Sequence, residues 1–138
     1  MKQSLCVLSL ALACTATGCH KSSSTSTAPT TAAQTTETHS GTVPVGGSDT
    51  STYVVSQSGE VDVTLTAAAP PAGVIMGLVV GSIDPTGACV PVAGAAINTP
   101  AGTSPQLSVI MTGNVCVTVK DVGGDTAPVN YTITVAHP

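Results

Sequence analysis

Strict alternation of apolar and polar residues marks three segments of the chain. Glu60-Val-Asp-Val-Thr-Leu-Thr66 places Val61, Val63 and Leu65 on one side and Glu60, Asp62 and Thr64 on the other. Val115-Cys-Val-Thr-Val-Lys120 repeats the pattern with Val115, Val117 and Val119, and Tyr131-Thr-Ile-Thr-Val135 with Tyr131, Ile133 and Val135. A period of two is that of a strand with one face buried. Further strands are expected at Thr50–Ser56, Val74–Ile83, Ala88–Ala93 and Gln106–Thr112. Ser58-Gly59, Asp84-Pro-Thr-Gly87, Gly113-Asn114 and Gly123-Gly-Asp125 read as the turns between them. Val74–Ile83 is apolar for most of its length, as a strand covered on both faces would be; it is about half the length of a membrane helix. Gly94–Pro105, rich in Gly, Pro, Ala and Thr, reads as a loop. The sum is an all-β domain over residues 42–138, a single jelly-roll-like sandwich of seven to eight antiparallel strands. Its expected core is Val61, Val63, Leu65, Val117, Val119, Ile133 and Val135.

Before residue 42 the pattern changes twice. Lys2 precedes Leu5–Ala13, an apolar stretch of signal-peptide length that is too short to span a bilayer. Ala16-Thr-Gly-Cys19 follows and resembles the lipobox of bacterial lipoproteins, with Ala16 where that family usually has Leu. The resemblance implies that residues 1–18 are removed and that Cys19 carries a diacylglyceryl group and is usually N-acylated. A second site, Ala11-Leu-Ala-Cys14, would cut inside a very short apolar region, so Cys19 is the expected anchor. Residues 19–41 then form a tether. From Lys21 to Ser40, 12 of 20 residues are Ser or Thr, too polar to offset the entropy of ordering, so disorder is expected. Its reach as a random coil is about 25 Å.

Composition narrows the function. The 138 residues include 22 Thr and 19 Val, but no Phe or Trp. Such β-branched richness suits a sheet. Seven acids stand against Lys2, Lys21 and Lys120, so no basic patch exists for a nucleic-acid backbone. Five cysteines are awkward for an exported protein. Cys6 and Cys14 leave with the signal and Cys19 takes lipid, so Cys89 and Cys116 remain as one pair. Both lie on the side of their strands opposite the apolar residues, so they should join neighbouring segments outside the core, with Cα atoms roughly 4.4–6.8 Å apart.

A second resemblance rests on Gly47-Ser-Asp-Thr-Ser-Thr-Tyr53 leading to Ser58-Gly-Glu-Val-Asp-Val-Thr-Leu65. It continues in Gly113-Asn-Val-Cys-Val-Thr-Val-Lys-Asp121 and Tyr131-Thr-Ile-Thr-Val135. These are similar to the opening hairpin and final strands of the bacterial pre-peptidase C-terminal type of β-sandwich. Val115 stands where that family usually has an aromatic. The resemblance implies an accessory or adhesion module without catalysis of its own.

Candidate chemistry is sparse. His137 is the only histidine within residues 42–138, and no Gly-x-Ser-x-Gly elbow accompanies it. Glu60 and Asp62 share a face as solubilising residues without an aromatic floor for a sugar. Asp121-Val-Gly-Gly-Asp125 offers hard oxygens to Ca²⁺ but reads better as a hairpin turn. Three scattered histidines, of which His20 and His39 lie in the tether, make no zinc set. Asn130-Tyr-Thr132 matches a glycosylation sequon that carries no weight in a bacterium. No catalytic residue, metal or cofactor is expected, and Tyr53 is the one aromatic available for ligand contact. The expected protein is a non-enzymatic envelope lipoprotein. It is held to a bilayer, in a Gram-negative host the outer membrane, by acylated Cys19, and it presents a module to an envelope protein or glycan. The alternative is a carbohydrate-binding module or an accessory subunit of a secreted hydrolase.

Overall fold

The computed structural model describes residues 33–138. The expected signal peptide, Cys19 and tether residues 20–32 lie outside the described residues. Six strands form: β1 (Thr35–Val43), β2 (Ser48–Ala69), β3 (Met76–Ile83), β4 (Cys89–Thr99), β5 (Leu107–Asp121) and β6 (Val129–His137). They hydrogen-bond into one antiparallel sheet of order β1-β6-β2-β5-β3-β4, with no helix among the described residues. The fold is all-β.

There are six strands where seven or eight are expected: two pairs of the seven segments named above fuse, and β1 is added. Thr50–Ser56 and Glu60–Thr66 are both parts of the 22-residue β2. Gln106–Thr112 and Val115–Lys120 are both parts of the 15-residue β5. The intervening turn residues flank a single irregularity: Val55 pairs with Gly113, then the register shifts and Gly59 pairs with Met111. Gly113 has φ 83°, a conformation that favours glycine. The two interruptions therefore bend a continuous β2–β5 ribbon at one place instead of ending its strands.

Two boundaries also move. β1 pairs with β6 in unbroken register from Thr35↔His137 to Val43↔Val129. The sheet thus begins at residue 35, and the last seven residues of the expected disordered tether belong to it. These residues lack apolar alternation; their backbone partners on β6 hold them. β4 likewise runs on to Thr99, six residues into the expected Gly94–Pro105 loop. Gly94, at φ 79°, sits in a bulge where Val92–Ala95 oppose the single Val80.

The expected core is the observed one. Val61, Val63, Leu65, Val117, Val119, Ile133 and Val135 are fully buried, in one cluster with Met76, Leu78 and Val80 of β3. Each fully buried Val or Leu contributes roughly 1.5–3 kcal/mol. β3 is buried on both faces from Met76 to Gly81. Its glycines explain how: a Cβ on Gly81 would overlap the Val90 carbonyl of β4, and one on Gly77 would meet the Lys120 side chain at 2.8 Å. Neighbouring strands close over the outer face of β3, and only glycine leaves them room.

Cys89 and Cys116 form a disulfide with Cα atoms 5.8 Å apart. Cys116 is fully buried yet lies outside the apolar cluster, on the face that carries Thr118. The Thr118 hydroxyl lies 3.7 Å from the Cys89 sulfur. The bond ties the start of β4 across β3 to β5, over the space that Gly81 leaves open.

Candidate functional site

Three strands build a polar surface at the end of the sheet where β1 finishes. The register sets Thr42, Asn130 and Ala69 in one row and Ser40, Thr132 and Ala67 in the next. The two alanines face outward because β2 carries one extra residue, Thr66, between Leu65 and Ala67. That insertion reverses the strand's alternation, so Ala68 turns to the core. The Thr66 hydroxyl donates to the Thr132 carbonyl at 3.1 Å.

A groove of about 690 Å³ crosses these rows, lined by Ser40, Gly41, Thr42, Ala67, Ala69, Pro70, Asn130, Tyr131 and Thr132. None of them carries a charge. Ser40 and Thr132 share a hydrogen bond between hydroxyls at 2.9 Å, and Thr42 donates to Asn130 Oδ1 at 2.7 Å. These bonds orient the side chains and leave the Asn130 amide N–H groups as donors to a ligand. The floor is braced by Tyr131, whose hydroxyl donates to Asp49 Oδ2 at 2.9 Å. Burial, and then this carboxylate, raise the Tyr131 phenol above its ordinary pKa, so it stays a neutral donor. Gly41 allows the arrangement. A Cβ there would overlap Asp49 Oδ2 and lie 2.9 Å from the Tyr131 ring and hydroxyl. Chemically, the groove suits hydroxyls and amides.

Tyr53, the aromatic expected to contact a ligand, turns its side chain inward. It is 6 % exposed and belongs to the core cluster, with its hydroxyl 2.9 Å from Ser51 Oγ. Burial raises its pKa. The reason is parity: Ser51, Tyr53 and Val55 are the buried side of β2, and Thr50, Thr52 and Val54 the exposed one. Tyr131, expected to be buried, is so.

His137 has a place that the sequence reading missed. It is 4 % exposed, with Nε2 2.9 Å from Glu37 Oε1 and Nδ1 3.2 Å from the Pro138 carbonyl. The Tyr131–Val135 alternation, carried one period further, would have placed it inward. It fastens β6 to β1. Among the described residues no three metal-ligating side chains gather.

The Asp121–Asp125 segment forms a loop after β5. Asp121 Oδ2 accepts from Gly46 N at 2.7 Å and Oδ1 from Gly123 N at 2.6 Å. These backbone donors hold the Asp121 carboxyl below its ordinary pKa. Loss of water, then the Asp121 charge, pushes Asp125 up, and Asp125 Oδ2 is buried without a partner. Asp121 therefore ties the β1–β2 turn to the end of β5 through Oδ2, while Oδ1 closes its own loop on Gly123.

Set against known proteins, the sequence matches no family model and no curated protein.

Proposed function

We propose that this chain is a non-enzymatic lipoprotein of the bacterial envelope, anchored in the outer membrane through acylated Cys19. Its β domain, read as a two-layered sandwich of the pre-peptidase C-terminal type, serves as a binding module. The observation that carries the reading is the run Ala16-Thr-Gly-Cys19 between an apolar stretch and a Ser/Thr-rich segment. Two structural facts support it. The disulfide suits an oxidising compartment. The groove also lies seven residues along β1 from Thr35, where the preceding chain enters the sheet, a distance of about 23 Å. A ligand there is held away from the point of attachment.

Metabolic labelling with a fatty-acid probe tests the anchor. Cys19→Ser should lose the label and leave the membrane fraction, whereas Cys14→Ser should keep both. Equal labelling of the Cys19→Ser protein places the anchor elsewhere.

The uncharged groove favours a second reading, a carbohydrate-binding module or accessory subunit of a secreted hydrolase. In this reading Asn130, and not Tyr53, makes the contact. Glycan-array binding that is lost in Asn130→Ala and kept in Tyr53→Phe distinguishes it.

A further inference from the structure

The two edges of the sheet are built differently. The β4 edge is interrupted: Pro91 removes a backbone donor, and the Val92–Ala95 bulge breaks the pairing line. The β1 edge carries none of these guards. Its nine residues Thr35–Val43 contain no proline, no lysine and no bulge, and they stay in unbroken register with β6. Among the described residues β6 is its only strand partner. Its outward backbone groups form an open template for another strand, which proteins ordinarily block.

We infer that the β1 edge pairs antiparallel with the β1 edge of a second copy of this chain, about a two-fold axis at Thr38. Charge complementarity selects that occupant and that register. With the axis at Thr38, Glu37 of each copy faces His39 of the other, and Thr36 faces Ser40. Directly opposite side chains in a ladder lie about 4.5–5.5 Å apart at Cβ, close enough for both pairs to bond. Glu37 is ready for this role: its side chain is 49 % exposed, and among the described residues Oε1 alone is held, by His137. Oε2 is left for the second copy's His39, whose ring is half-buried beside Tyr131 at a centroid distance of 6.1 Å. Moving the axis one residue removes the match. At Glu37 two carboxylates would face each other, and at His39 the carboxylate would face Gly41. The Thr38 register also extends the hydroxyl rows of the outer face, with Thr38 opposite Thr38. Such an isologous contact closes on itself as a dimer. The inference does not depend on lipidation.

Cysteine cross-linking in the full-length protein tests it. Opposite Cα atoms in an antiparallel pair are about 4.5–5.5 Å apart, within the roughly 4.4–6.8 Å that a disulfide spans. Under mild oxidation Thr38→Cys should give a band of twice the mass on a non-reducing gel. Thr36→Cys and Ser40→Cys should stay at the background of the parent chain, which carries the same Cys6, Cys14 and Cys19. Adding His39→Glu to Thr38→Cys sets carboxylates opposite one another twice and should cut the yield by roughly tenfold. Three results overturn the inference: Thr38→Cys at background, equal yields at positions 36, 38 and 40, or Thr38→Cys captured by a different protein.

Discussion

Single residues decide whether the groove and its neighbouring loop can form. Gly41 is required by contact, since any Cβ there meets the Asp49 carboxylate and the buried Tyr131. Asp49 can swing away, but Tyr131 cannot without disturbing the core. Gly41→Ala should therefore cost about 1–3 kcal/mol, the range for overpacking a closed site, measured by urea denaturation. Glycan or peptide binding in the groove should fall with it.

The two aspartates after β5 give opposite signs in the same measurement. Asp121 has a lowered folded pKa, so its contribution is present above the ordinary carboxylate range and lost as pH falls through the folded value. Asp125 has a raised folded pKa, so its contribution is present at acid pH and lost as pH rises through that value. At neutral pH Asp121→Asn should thus destabilise and Asp125→Asn should stabilise. The Asp125 difference should fade as pH falls from its raised folded value to about 4, and the Asp121 difference only below about pH 4. Stability curves that run parallel across pH 3–7 would rule this out.

At the level of strands, the sequence was legible where burial is one-sided. β6, the second half of β2 and the second half of β5 announce themselves by alternation, and their inward residues are the core. The fusion of strands was not legible. Ser58-Gly59 and Gly113-Asn114 have the chemistry of turns, and only their meeting at one register shift makes them a shared bend. β1 was hidden for another reason. Its Thr, Ser and Glu side chains are exposed, and the β6 backbone that orders it is 92 residues away at the Ser40–Thr132 contact. Tyr53 lay within reach of the pattern, because it shares parity with buried Val55. The adjacent pair Val54-Val55 obscured which side was inward.

The pairing of Cys89 with Cys116 was legible from cysteine count and strand face together, and its energetic weight also belongs at this level. It closes a loop across a sequence separation of 27. Reduction, or Cys89→Ser with Cys116→Ser, should lower stability by roughly 3–4 kcal/mol in the chain-entropy account. Denaturation midpoints with and without a thiol reductant check the value. The loss should be largest for β4, whose start is held over Gly81 by this bond.

For the molecule as a whole, the formal charge of −4 means that electrostatics cannot hold it to an anionic membrane. Lys120 is the only lysine or arginine among the described residues. If acyl chains are the anchor, high-salt and carbonate washes should leave the protein in the membrane pellet, and only detergent should release it. Release by salt alone would point instead to attachment through another protein. The groove itself was not legible in the sequence. Its rows join β1, β6 and β2, and the Thr66 insertion that turns Ala67 and Ala69 outward leaves no mark in composition.

The unbroken β1–β6 ladder also sets how the domain bears load. Tension between Thr35 and the groove runs along β1, so its nine paired positions are sheared together and share the force. Tension between Thr35 and Pro138, which lie at the same end of the ladder, would open it one pair at a time. A cargo gripped at Thr42 and Asn130 therefore pulls on this strand in its strong direction.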